Sequence, residues 1–208
     1  MGAVNHTKTR TLFLAASASL VLLTGACSSD SDTSTSTTPA GSTAGAASGS
    51  AEAAAASTCP TSAPDASGTP EWTLDGDTGS IAVVGSTDSA APSVTVEAPF
   101  SVAETQVETL TVGDGPVVAD DAEVSVCYMG VNGRDGSTFD SSYERGAPVE
   151  FPLDGVVAGF QKAIAGQTVG STVAVAVTSA DGYPSGQPQA GIEPGDSLIF
   201  AISILSAS

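Results

Sequence analysis

The sequence predicts an α+β domain, an antiparallel sheet wrapped around one short helix, preceded by a signal peptide and a disordered tether. Three observations carry that expectation. Apolar residues alternate with polar or small ones at several places in the second half of the chain, the period of a half-buried strand. One stretch alone, Val157, Phe160 and Ile164, has the i, i+3, i+7 spacing of a helix face. The first third of the chain has too few large apolar residues to build a core.

The expected parts run as follows. Residues 1–26 read as a secretory signal: Lys8 and Arg10 make a positive start, and residues 11–23 an apolar stretch too short to span a bilayer comfortably. It ends Leu22-Leu23-Thr24-Gly25-Ala26-Cys27, small residues before a cysteine, similar to a bacterial lipobox whose cysteine is acylated. Thr24 stands where leucine is usual, and Thr24 with Ala26 also fits an ordinary signal-peptidase site. The preferred expectation is a lipid anchor on Cys27 at the outer face of the cell membrane, with free secretion as the alternative.

Residues 27–67 are mostly Ser, Thr, Ala, Gly and Pro. They cannot bury enough surface to offset an ordering entropy of about 1–2 kcal/mol per residue. Some 40 such residues have a typical reach of about 35 Å. Residues 68–92 hold Trp72, Leu74 and the apolar run 81–84, too little for a domain of their own, and are expected to join the body as an extended segment. Trp72 reads as a packing residue.

The main domain is expected over 93–208. Val94, Val96 and Phe100 open it, residues 105–112 alternate, and Gly113-Asp114-Gly115-Pro116 turns the chain. Val124, Val126 and Tyr128 share a strand face, and Val149, Phe151 and Leu153 make the next strand. The helix follows and should stop at Gly166. Residues 172–177 and 197–205 alternate again, Leu198, Phe200, Ile202 and Ile204 sharing one face.

The full chain carries −18. All 23 acidic residues follow Cys27, so loss of Lys8 and Arg10 leaves three basic residues and a mature charge of −20. Such a surface repels phosphate backbones and argues against nucleic-acid binding. The only histidine, His6, lies in the signal, so the mature chain has none to act as base or metal ligand. With Cys27 lipidated, Cys59 and Cys127 remain as a possible disulfide in an oxidising compartment. Two unlinked thiols are the alternative.

The chemistry-bearing stretch is Tyr128-Met129-Gly130, a glycine-rich turn, then Phe139-Asp140-Ser141-Ser142, with Val156-Val157-Ala158-Gly159-Phe160 and later Tyr183, Ile192 and Phe200. Gly166 to Ser171 reads Gly-Gln-Thr-Val-Gly-Ser between helix and strand. In order and spacing these residues resemble the FKBP family of peptidyl-prolyl cis/trans isomerases over roughly the last half of the chain. The resemblance implies that Tyr128, Phe139, Asp140, Phe160, Tyr183 and Phe200 carry catalysis. It implies that Val149, Phe151, Val156, Val157 and Ile192 complete the walls. Phe160 stands where tryptophan is commonest, and Val149 where an aromatic is frequent. The implied substrate is a proline-containing polypeptide, with macrolide ligands of the family able to compete, and the chain is expected to be a monomer needing neither metal nor cofactor. A non-catalytic binding module or chaperone, and a structural lipoprotein, are the competing classes.

Overall fold

The computed structural model describes residues 58–64 and 68–208. The expected signal, Cys27 and most of the tether lie outside the described residues. Among the described residues, nine strands and two short helices form one compact unit together with two single turns of 3₁₀ helix.

The main sheet has the order β4-β8-β9-β5-β6, with β7 also paired to β5. Its strands are β4 (Gln106–Thr111), β5 (Glu123–Asn132), β6 (Thr138–Ser141), β7 (Val149–Pro152), β8 (Thr172–Val177) and β9 (Leu198–Ala207). All its pairings are antiparallel. One edge of β5 pairs along its length with β9, from Val124↔Ala207 to Asn132↔Leu198. The other edge is shared: β7 takes Glu123 to Val126, and β6 takes Met129 to Val131. The gap falls at Tyr128, where a side chain replaces a strand. Ser142 Oγ accepts from Tyr128 N at 2.8 Å and faces the Tyr128 carbonyl at 3.3 Å. The backbone groups that would otherwise lack a ladder partner are thereby satisfied.

α2 (Ala158–Ile164) packs its Phe160, Ala163 and Ile164 against the inner face of this sheet. Gly159 sets how close it comes: a Cβ there would lie 2.2 Å from Val177 Cγ1. The helix ends at the expected place, with Gly166 at φ +78 and its N–H bonded to the Val118 carbonyl at 3.0 Å.

The outer face has a cover that differs from the sequence expectation. β1 (Trp72–Asp75), β2 (Thr78–Val84) and β3 (Ser93–Ser101) form a separate three-stranded antiparallel sheet. The segment 68–92 thus pairs with β3 rather than simply adding a strand to the main body. The register places Trp72 opposite Val83, Leu74 opposite Ile81, and Val94 and Val96 opposite Val83 and Ile81, so all six share one face. That face, with Phe100, packs on Val131, Ala174, Ala176, Ile199 and Ala201 of the main sheet.

Part of the stretch expected as tether is also held on the body. Cys59 is 2% exposed and bonded to Cys127 of β5, their Cα atoms 5.7 Å apart. Cys59 N–H donates to the Gly146 carbonyl and Ala91 N–H to the Ser62 carbonyl. Closing a loop across 68 residues constrains the unfolded chain by about 4 kcal/mol on the chain-entropy account.

Candidate active site

Four strands of the main sheet turn side chains toward one end of its inner face. β5 supplies Tyr128 and β9 supplies Phe200, while β6 brings Phe139 and Asp140. β7 contributes Val149 and Phe151. The 3₁₀ turn Leu153–Gly155 leads Val156 and Val157 into α2, whose Phe160 lies between the strands, and the loop after β8 brings Tyr183. Together with Gly155 these residues line a cavity of about 390 Å³.

Phe160, only 5% exposed, is the hub. Its ring meets Tyr128, Phe151 and Phe200 edge to face, with centroids 5.6, 5.5 and 5.1 Å away. Phe139 in turn stands edge-on to Phe200 at 5.6 Å. Such T-shaped contacts set a positive ring edge against a negative face and fix the rings' angles. Gly130 makes room for Phe139, since a Cβ there would lie 2.5 Å from Phe139 Cζ.

The polar part of the site is a chain of three groups. Tyr128 hydroxyl donates to Asp140 Oδ2, and Arg145 Nη1 meets Asp140 Oδ1 at 2.5 Å. The Arg145 guanidinium also stands over the Tyr128 ring, 6.0 Å from its centroid. Burial alone would push the Asp140 carboxyl up, but hydrogen bonds from Tyr128 and Arg145 outweigh it and hold it below the usual carboxylate range. Burial, then the bond to Asp140, pushes the Tyr128 phenol up to about 12. At neutral pH the pair is therefore a carboxylate and a neutral phenol, with both carboxylate oxygens already engaged.

Two ion pairs fix the loops beside the cavity. Lys162 Nζ of α2 meets Asp181 Oδ2 at 2.6 Å, and Thr105 hydroxyl donates to the same oxygen at 2.6 Å. The Asp181 carbonyl accepts from Gly159 N–H at 2.9 Å, which ties the Tyr183 loop to the start of the helix. Further along, buried Asp196 accepts from Asn132 Nδ2, Glu193 N–H and Arg134 Nε.

Ten of the eleven residues expected at the site line this cavity; Ile192 does not. Ile192 is 2% exposed and packs in the inner core, its backbone paired with Gln187. The sequence reading omitted Gly155 and Arg145. Arg145 had a signal, being one of three cations after residue 27 and five places from the candidate carboxylate.

A family profile described as FKBP-type peptidyl-prolyl cis-trans isomerase matches residues 115–205. A protein of Corynebacterium glutamicum named "Probable FK506-binding protein" is 36% identical over 104 residues, covering 49% of this chain and 85% of the relative. The chain belongs to the FKBP family. An FK506-binding protein of Streptomyces anulatus is 32% identical over 50% of this chain and 86% of its own length. A solved peptidyl-prolyl cis-trans isomerase from Pseudomonas syringae pv. tomato is 30% identical, with a TM-score of 0.45, over 50% of this chain and 75% of that one. This FKBP is accordingly a peptidyl-prolyl cis/trans isomerase, and every cavity-lining residue falls within the matched span.

Proposed function

We propose that this FKBP isomerises Xaa-Pro bonds of exported proteins by seating the prolyl ring on Phe160 and favouring the twisted amide. The ring-lined cavity carries this reading, because its one carboxylate has both oxygens engaged on Tyr128 and Arg145. Rotation about a peptide bond faces about 18–20 kcal/mol because it breaks amide resonance. The twisted amide has less charge separation than the planar one, so an apolar site with little water favours it. No proton need move and no covalent intermediate forms. The walls Tyr128, Phe139 and Phe200 hold the proline ring by area and angle, Val149, Phe151, Val156 and Val157 close the sides, and Tyr183 is placed to meet the turning amide.

Export is the finer part of the proposal. The reading of residues 1–27 supports it, as does a Cys59–Cys127 cross-link of the kind that persists in oxidising compartments. In this reading Cys27 carries the lipid and a monomeric domain works at the outer face of the membrane. Among the described residues no helix is long and apolar enough to cross a membrane.

The deciding experiment is protease-coupled isomerisation of a short Xaa-Pro peptide by the chain processed as its host processes it. Turnover that a macrolide FKBP ligand suppresses is expected. Binding of unfolded protein with no turnover would replace the isomerase by a holding module. For the anchor, a Cys27→Ala protein should leave the membrane fraction; if it fractionates as the unaltered protein does, the lipid reading fails.

A further inference from the structure

Arg145 and Asp140 belong to a short piece of chain with little to hold it in place by itself. α1 (Ser142–Arg145) is four residues long, far below the length at which a helix persists alone. Its own stabilisers are few: Ser141 Oγ caps Glu144 N–H at 3.3 Å, and Gly146 closes its C-terminus. Yet Ser142 is 0% and Tyr143 2% exposed, so something packs over them. Part of that cover comes from outside the family-matched span.

Two anchors reach α1 from residues preceding position 115. Cys59 donates its N–H to the Gly146 carbonyl, just past the helix, at 3.3 Å. Cys59 Sγ, joined to Cys127, also lies 3.5 Å from Ser142 Oγ, the group that closes the gap at Tyr128. The second anchor is Ser86, whose Oγ accepts from the Tyr143 hydroxyl at 2.9 Å. Burial pushes that phenol up to about 12, so it stays a donor across the physiological range. Cys59, Ala91, Cys127 and Tyr143 form one buried cluster, with Met129 and Leu205 at its margin.

We propose that the segment preceding the isomerase domain is a clamp on α1, with Cys59, Ser86, Ser142 and Tyr143 as positioning residues for the Asp140–Arg145 pair and thereby for Tyr128. The proposal rests on the isomerase reading of the cavity. None of the four residues lines that cavity, so each acts only through what it holds. The physical chain is short. The cross-linked segment and Ser86 fix α1, α1 fixes the Arg145 guanidinium on Asp140, and Asp140 holds the Tyr128 hydroxyl and ring at the cavity wall. Loosening either anchor lets α1 fray, and the carboxylate then loses the cation that orients it.

The test uses the full mature chain and removes each anchor with least change of shape. Tyr143→Phe deletes only the hydroxyl that reaches Ser86, and Ser86→Ala deletes its acceptor. Each should lower kcat/KM on a short Xaa-Pro peptide by about three- to tenfold, the size of one lost hydrogen bond, measured well below the melting temperature. A double-mutant cycle separates positioning from plain stability. In an Arg145→Leu background, Tyr143→Phe should cost nothing further, whereas a merely structural role would leave the two losses multiplying. Amide hydrogen exchange gives a readout independent of turnover: Glu144 and Arg145 should exchange faster in Tyr143→Phe and in Cys59→Ser, with central β9 unchanged. Unaltered turnover in both hydroxyl variants, or multiplying losses, overturns the clamp. An unaltered chain without any turnover overturns the isomerase reading instead, and unchanged exchange at Glu144 and Arg145 would then also dispose of the clamp as a physical device.

Discussion

On its inner face the main sheet presents Val173, Val175 and Val177 from β8 and Leu198, Phe200, Ile202 and Ile204 from β9. On its outer face the same two strands present Ala174, Ala176, Ile199 and Ala201. The three alanines among them let a second sheet lie close against this face. Inside, large side chains meet a helix of seven residues that covers only part of the sheet, and rings set edge to face stand around the remainder. A ring-lined cavity therefore opens on the inner face, whereas on the outer face the second sheet covers Ala174, Ala176, Ile199 and Ala201, and the difference traces in part to side-chain size in alternate positions of the same strands.

The sharpest way to break this comparison is to remove the hub ring. Phe160→Ala should cost about 3–5 kcal/mol in denaturant unfolding and abolish turnover, because three neighbouring rings lose the surface that orients them. Near-normal stability would mean that the cavity floor is not made by Phe160. The matching change outside is Ala176→Leu. It overpacks the junction of the two sheets and should cost about 1–3 kcal/mol, while turnover per folded molecule stays unchanged. Loss of turnover without loss of stability would show that the outer face is coupled to the cavity after all.

The same contrast governs what could be read in advance. The Val-Ala alternation of 172–177 is plain in the sequence and announces a strand, and residues with chemistry cluster locally in Tyr128-Met129-Gly130 and Phe139-Asp140. These local motifs, through the family they resemble, therefore led to ten of the cavity's lining residues. They could not lead to the second sheet, because a stripe of alanines does not name its partner, here a strand roughly 90 positions earlier. The contact of Cys59 with Ser142 spans 83 residues and that of Tyr143 with Ser86 spans 57, and no local pattern encodes either. Ile192 failed for a related reason. An isoleucine in a Gly-Pro loop has no periodicity to say whether it faces a cavity or the core behind it, and the structure puts it in the core. Arg145 went unnamed because its meaning depends on a one-turn helix that bends the chain back on Asp140.

The smallest expected effect tests whether the inner face works by shape alone. Between about pH 6 and 8 the rate of Xaa-Pro isomerisation should be nearly flat. Asp140 titrates below the ordinary carboxylate range because Tyr128 and Arg145 overcome its burial, and Tyr128 titrates at about 12, so neither changes state in that window. The only histidine, His6, precedes the described residues. The sign outside the window follows from linkage. The depressed Asp140 contributes stability that is fully present above its unfolded value near 3.9 and is lost as pH falls through the folded one. The raised Tyr128 contributes stability that is present below about 10 and is lost as pH rises toward 12. Turnover should thus decline only at the acid and alkaline extremes, together with the fold. Asp140→Asn, nearly isosteric, should lower the rate less than Phe160→Ala and leave the plateau flat, since the apolar rings that line the cavity stay in place. A steep slope between pH 6 and 8 that vanishes in Asp140→Asn would mean that a proton moves in the rate-limiting step, and the cavity would then be an acid–base site rather than a shaped apolar one.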